Sequence, residues 1–191
     1  MDLRRTVALV AGLNLAAFGG EALVALAIGS VALLADSLDF LEDSFINLLI
    51  LLGLGWGVFA RARLGKALAL MILLPGLATL WMAWSKLLDP AAPDPLALTL
   101  TAGAALLVNL LAALLISRHR HGGGALTRAA FLSARNDVAA NALVILAGLV
   151  TAFLWRSGWP DLGAGLVIAA LNAGAAREVW EAATEEAEPA P

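Results

Sequence analysis

Four stretches of this chain, 44–60, 67–85, 95–117 and 138–155, contain no Asp, Glu, Lys or Arg. Each approaches the ~20 mostly apolar residues with which a helix crosses a bilayer. Several blocks of that length do not fit into one soluble core. In hydrocarbon every backbone N–H and C=O needs a partner within the protein, which leaves helices as the economical answer. Composition agrees. Of 191 residues, 61% are hydrophobic and 14% charged, against about 45–50% and about 25% in ordinary soluble domains. A soluble enzyme, a nucleic-acid binder and a disordered chain are thereby excluded. The net charge of −3 offers nothing to a polyanion. There is no cysteine, hence no disulfide framework and no thiolate metal site. No nucleophile–base pair or phosphate loop is visible, so the chain reads as no enzyme and as needing no cofactor.

The pattern predicts an all-α membrane protein with six spans, at about 6–28, 31–60, 64–87, 96–117, 126–155 and 160–180. Gly29-Ser30 breaks the first run, Asp89-Pro90 through Asp94-Pro95 interrupts the third, and Arg118 through Gly124 forms a basic loop. The opening Met1–Arg5 and the apolar run behind it look like a secretory signal. That run, however, continues to Ile28 through Asn14 and Glu21, and reads as a span. Alternating the loops places nine of the Lys and Arg residues on one side and only Lys86 and Arg156 on the other, with Arg135 inside the fifth span. Basic residues stay cytoplasmic, so both termini are expected there. The expectation is a multi-pass protein of a bacterial-type cytoplasmic (inner) membrane, with one unit over 1–180 and a short cytoplasmic tail over 181–191.

Ionisable groups at membrane depth cost about 2.5–3.5 kcal/mol each on insertion scales and mark functional positions. The first span carries Glu21, the second Asp36, Asp39, Glu42 and Asp43, and the fifth Arg135 and Asp137. Asp36, Asp39 and Asp43 follow i, i+3, i+7 and share a helix face, which Asn47 extends. Ser133, Asp137 and Asn141 line another, and Asn14 shares a face with Glu21. If the stripes of the second and fifth spans face each other, their carboxylates converge and repel. They are then tolerable only with protons or a cation among them. An oxygen-rich cage suits Mg²⁺, Mn²⁺, Fe²⁺ or Co²⁺ and also holds Zn²⁺. Metal must displace protons from such ligands, which is in itself an exchange cycle.

Plainer roles stand beside this one. Glu21 or Glu42 with Arg135 reads as a structural ion pair. Asp36, near the start of its helix, reads as a cap or gate favoured by the helix dipole. Asn14, Asn47, Asn109 and Asn141 read equally as hydrogen-bond links between helices or as part of an ion path. A single arginine does not neutralise Asp39, Asp43 and Asp137. Two other functions fit an acid-bearing bundle: a proton-coupled exporter of a small organic cation, and a scaffold without transport.

The stretch from Gly29-Ser30 through Asp36, Asp39 and Asp43 resembles the second-helix signature of the cation diffusion facilitator family. Asp137 through Asn141, and Pro160-Asp161-Leu162-Gly163, resemble its fifth and sixth helices. The resemblance implies a proton-coupled exporter of divalent transition metals, with two ligands on the second helix and two on the fifth. These map onto Asp39 and Asp43, and onto Ser133 and Asp137. The same three acids would carry the coupled protons. Zinc exporters of the family commonly have histidine where Ser133 stands, so the fourth ligand here is Ser133, water or Asn136. Losing the imidazole tilts the site toward harder cations. Zinc is nevertheless favoured by the resemblance, with manganese, iron, cobalt and cadmium open. The family usually adds a cytoplasmic metal-binding domain, whereas eleven residues follow Trp180 here. The chain thus resembles a short form, expected to dimerise through its membrane helices, where Gly53, Gly55, Gly57, Gly163 and Gly165 permit close contact. His119 and His121 lie among arginines and read as a solvated loop.

Overall fold

The computed structural model describes residues 3–53, 63, 77–117 and 124–171, with side chains of the fifth helix from 137 onward. Among these residues there are helices and no strands. The helices are α1 (Leu3–Ile28), α2 (Val31–Gly53), α3 (77–88), α4 (Pro95–Ser117), α5 (Gly124–Phe153) and α6 (Trp159–Leu171). Their starts agree with the predicted spans to within a few residues where both are described.

Local chemistry fixes the joints. Gly29 has φ +65°, the left-handed conformation in which a side chain is strained. It closes α1 and lets the Ser30 N–H reach back 2.9 Å to the Ala25 carbonyl, the long bond of a Schellman ending. Ser30 then caps α2, its Oγ accepting from the Leu33 N–H at 3.1 Å. The predicted interruption is found over 89–94, and Asp94 stands just before α4 as its cap. Asp94 Oδ1 accepts from the Ala97 N–H at 2.7 Å, and Pro95, with no N–H to orphan, begins the helix.

α1 packs along α2 and α4 along α5. Contacts of α1 with α4 and of α2 with α5 close these pairs into a ring, with α2 and α4 barely touching across it. The core is built from small residues, including Ala25, Ala32, Ala35, Ala102 and Ala147, around Leu33, Leu98, Val144 and Ile168. α6 comes so close to α2 that a Cβ on Gly165 would stand 2.6 Å from Val31 Cγ1 and 2.8 Å from the Ala32 nitrogen. Gly165 therefore packs within this chain, whereas nothing lies within 4 Å of a Cβ on Gly163. Gly53 has no described side-chain surroundings, and Gly55 and Gly57 lie outside the described residues.

Burial is inverted with respect to a water-soluble protein. Asn14, Asp36 and Asn141 are 0% exposed, whereas Leu23 is 71%, Leu107 68% and Phe153 80% exposed. Leaving large apolar side chains in water forgoes about 1.5–3 kcal/mol each, so this surface is made for lipid. α1 over Arg4–Ile28 and α4 over Pro95–Ser117 are long and apolar enough to cross a membrane. Trp81 and Trp84 are exposed, as expected of side chains anchoring at an interface. Trp56 lies outside the described residues.

Candidate cation site

α1 and α2 form an antiparallel hairpin, and its register sets the site. Asn14 Nδ2 donates to Asp43 Oδ2 at 3.4 Å. Seven residues further along α1, about two turns, Glu21 faces Asp36, seven residues earlier on α2. Polar groups two turns apart on each helix therefore meet in matching rungs. Ser44 Oγ, donating to the Ala11 carbonyl at 3.1 Å, ties the hairpin one turn beyond the first rung.

α5 presents Asp137 and Asn141 to the same side of α2. Asn141 Nδ2 donates to Asp36 Oδ1 at 3.3 Å and to its own helix at the Asp137 carbonyl, 2.9 Å away. The Asp137 carboxyl is buried, its Oδ2 has no hydrogen-bond partner, and the acids near enough for their charge to reach it are Asp43, Asp39, Asp36 and Glu42. The acid stripe of α2 and the Asp137–Asn141 face of α5 meet at the Asn141–Asp36 hydrogen bond. Asp43 and Asp137 are each 8% exposed, and Asp39 is half-buried. Asp39, Glu42 and Asp43 all carry polar or electrostatic contacts. Asn47 donates to the Asp43 carbonyl at 2.7 Å, within its own helix.

Among the described residues, the buried side-chain atoms lacking a hydrogen-bond partner are oxygens with one exception. They are Asn14 Oδ1, both oxygens of Glu21, Asp36 Oδ2, Asn47 Oδ1, Asp137 Oδ2, Asn141 Oδ1 and Asn109 Oδ1, the exception being Asn109 Nδ2. Buried polar groups are normally paired. An interior with this excess of acceptors is chemically short of donors, and a proton or a cation is what supplies them. No three Asp, Glu, His or Cys side chains among the described residues gather tightly enough to hold a metal by themselves. A cation here would need the amides, water or the α5 residues N-terminal to Asp137.

Those residues include Ser133, Arg135 and Asn136. Their backbone is helical, but their side chains lie outside the described set, as do His119 and His121 entirely. Glu21 finds no cation among the described residues; its neighbours are Asp36 and Asp39. Of the two roles expected for Asp36, a cap or a gate, the cap is corrected. Asp36 caps nothing, because Ser30 and Asp161 already occupy the first turn of α2. It lies wholly buried beyond that turn.

The residue pair that sequence reasoning missed is Asp161 with Lys86. Both are buried, and Lys86 Nζ stands 2.7 Å from Asp161 Oδ2. Lys86 Nζ also donates to the Gly29 carbonyl at 2.6 Å. Asp161 accepts from Ser30 Oγ at 2.5 Å, the Val31 N–H at 2.9 Å and the Ala32 N–H at 3.3 Å. The carboxylate sits in the first turn of α6 and at the N-terminus of α2, where two helix dipoles favour a negative charge. This clasp joins the α1–α2 turn, the end of α3 and the start of α6. A hydrogen bond from the Gly158 N–H to the Pro90 carbonyl, 3.0 Å, ties the adjacent loops. The usable sequence signal was Lys86 itself, one of two basic residues on the basic-poor side and able to sit there through an internal acid.

A family model described as the cation efflux transmembrane domain matches residues 64–185. The match includes Lys86, Asp137, Asn141 and Asp161, and begins beyond the acids of α2. No curated protein matches the chain.

Proposed function

The chain belongs to the cation efflux family, and from that premise we propose that it exports divalent transition metal ions from the cytoplasm in exchange for protons. It is an integral membrane protein of a family that transports cations. Zinc is the first candidate among the metals, on the resemblance of the chain to the cation diffusion facilitator family; an oxygen-rich site without the usual histidine leaves room for manganese, iron, cobalt or cadmium. The reading places six spans in a bacterial-type inner membrane with both termini in the cytoplasm. It takes 1–180 as the transport unit, 181–191 as a tail and a homodimer as the assembly.

The meeting of α5 with the acid stripe of α2, where Asn141, one turn from Asp137, donates to Asp36, supports this reading, together with the buried, unpartnered Oδ2 of Asp137. Asp39, Asp43 and Asp137, with Ser133 or Asn136 and water completing the shell, are the proposed metal ligands. Metal entering from the cytoplasm displaces their protons. The helices re-orient, and protons arriving from outside compete the metal away. Release requires that the ion be held no more tightly than protons can overcome. Asn14 and Asn141 hold Asp43 and Asp36 in place through their amide hydrogens, and their buried, unpartnered Oδ1 atoms remain open to the ion or its water.

The test is flux. The purified chain is placed in liposomes with an imposed pH gradient, and zinc, manganese, cobalt and cadmium are followed with an entrapped indicator. Metal movement that needs the gradient and vanishes in Asp39→Ala and Asp137→Ala is expected. Flux unchanged in both variants sinks the proposal. Gradient-dependent movement of a quaternary amine without any metal movement would favour the organic-cation exporter.

A further inference from the structure

α4 buries a single stripe, Leu98, Ala102, Ala105, Asn109, Ala112 and Ile116. Steps of three and four residues keep these on one helix face. Asn109 is the stripe's only polar member and is 1% exposed. Neither its Oδ1 nor its Nδ2 has a hydrogen-bond partner, and that Nδ2 is the one buried, unpartnered donor among the described residues. A polar side chain inside a membrane bundle ordinarily bonds across to the next helix, and a buried amide left unmet is costly. A plain tie between helices therefore does not describe Asn109.

Register shows what it stands beside. Val10, near the start of α1, packs with Ala112 and Ile116, near the end of α4. The other end of α1 lies at the clasp, where Lys86 Nζ holds the Gly29 carbonyl a few residues before α4 begins. The two helices thus run antiparallel. One turn inward from the Val10 contact come Asn14 on α1 and Asn109 on α4. α5 gives the same level independently. Gly148 lies against Leu98, so that a Cβ on Gly148 would stand 3.4 Å from Leu98 Cγ. Eleven residues separate Leu98 from Asn109, and eleven separate Asp137 from Gly148. Eleven residues are about three whole turns, so Asn109 and Asp137 are level across the α4–α5 pair. Asn109 therefore belongs to the layer of Asn14, Asp43 and Asp137. In that layer Asn14 donates to Asp43 while its own Oδ1, like Oδ2 of Asp137, is buried without a partner.

We propose that Asn109 determines specificity in the transport reaction: with Asn14 it holds water on the divalent ion bound at Asp39, Asp43 and Asp137, so that the site favours ions that keep part of their hydration shell. This rests on the transport reading above and brings α4 into it. Water on a metal turns its oxygen to the ion and its hydrogens outward. The Oδ1 atoms of Asn14 and Asn109 are acceptors for those hydrogens. A shell of carboxylate, carbonyl and water oxygens suits Mn²⁺, and its loss costs the softer Cd²⁺ less.

The test is calorimetry of Mn²⁺ and Cd²⁺ binding to the full chain in detergent, with the unfolding temperature of the metal-free protein beside it. Asn109→Leu nearly keeps the shape of the side chain and removes its polar atoms. It should weaken Mn²⁺ at least about tenfold more than Cd²⁺, without lowering the metal-free unfolding temperature, since no hydrogen bond within the protein is lost. Asn109→Ser, which returns a hydroxyl and leaves room for water, should keep the ratio of the two affinities within about threefold of wild type. Asn109→Val gives the same comparison as Asn109→Leu if the latter fails to fold. Failure of both to fold, or a lowered unfolding temperature with both metals weakened alike, makes Asn109 a structural tie and overturns the proposal. A wild type that binds both metals and a ratio unmoved by the apolar variants overturns it while leaving the transport reading standing. A wild type that binds neither metal overturns the transport reading and this assignment with it.

Discussion

Asp161 and Asp137 are both buried carboxylates on helices of one small bundle, and their surroundings differ completely. Asp161 accepts from a hydroxyl, two backbone N–H groups and a lysine. Asp137 keeps an oxygen with no partner and faces further acids. At the Gly29 end charge is cancelled within the protein and the helix ends are tied. In the middle it is left for something mobile to cancel. A carboxylate fully supplied with fixed donors has no reason to take up a metal or a proton, and one lacking them does. The same chemical group thus serves as a structural tie or as part of a binding site according to who supplies the hydrogen.

The contrast can be broken from either side. The largest loss of stability is expected at the clasp. Lys86→Met leaves Asp161 buried without its cation, which typically costs about 3–5 kcal/mol. Thermal unfolding in detergent reads this. Pairing Lys86→Met with Asp161→Leu should recover a good part of it, because no lone charge remains. A double variant as unstable as the sum of its singles would mean that the pair is not what holds this end together. Next comes Asp43→Asn, which should weaken zinc binding by at least about a hundredfold while leaving the unfolding temperature nearly unchanged. A stability loss as large as that of Lys86→Met would make Asp43 a structural tie like Asp161. A smaller effect, about tenfold on zinc affinity, is expected for Asn14→Ala, which frees Asp43 from its one amide donor on α1. The smallest is Ser30→Ala, at about 1 kcal/mol of stability for the lost cap. It should leave zinc affinity untouched, whereas a change would show that the two regions are coupled.

The helices were legible because lipid imposes a crude requirement, and long charge-free runs punctuated by glycine, proline and arginine meet it visibly. The stripe Asp36, Asp39, Asp43 was legible too, since helical periodicity puts residues three and four apart on one face. That it should meet the polar face of α5 was an expectation from the cost of acids in hydrocarbon, and the contact the structure gives is between Asp36 and Asn141. The clasp was not legible. Ser30, Lys86 and Asp161 come from three separate places in the chain, and no periodicity links them. Of the cap or gate expected of Asp36, the cap failed for the same reason, as the residue that actually helps cap α2 lies 130 positions from Val31. The family match over 64–185 leaves α1 and α2 uncovered. The acids of α2 had to be recognised from their own spacing.

The two rungs of the α1–α2 hairpin, Asn14 against Asp43 and Glu21 against Asp36, have a mechanical consequence. Each lies about two turns from the other on both helices. A slide of α1 by a single turn, about 5.4 Å, would break both rungs and bring a polar group of α1 opposite Asp39, which lies between Asp36 and Asp43 on the same face of α2. Axial movement between these helices would therefore go in steps of a turn, from one acid of α2 to the next.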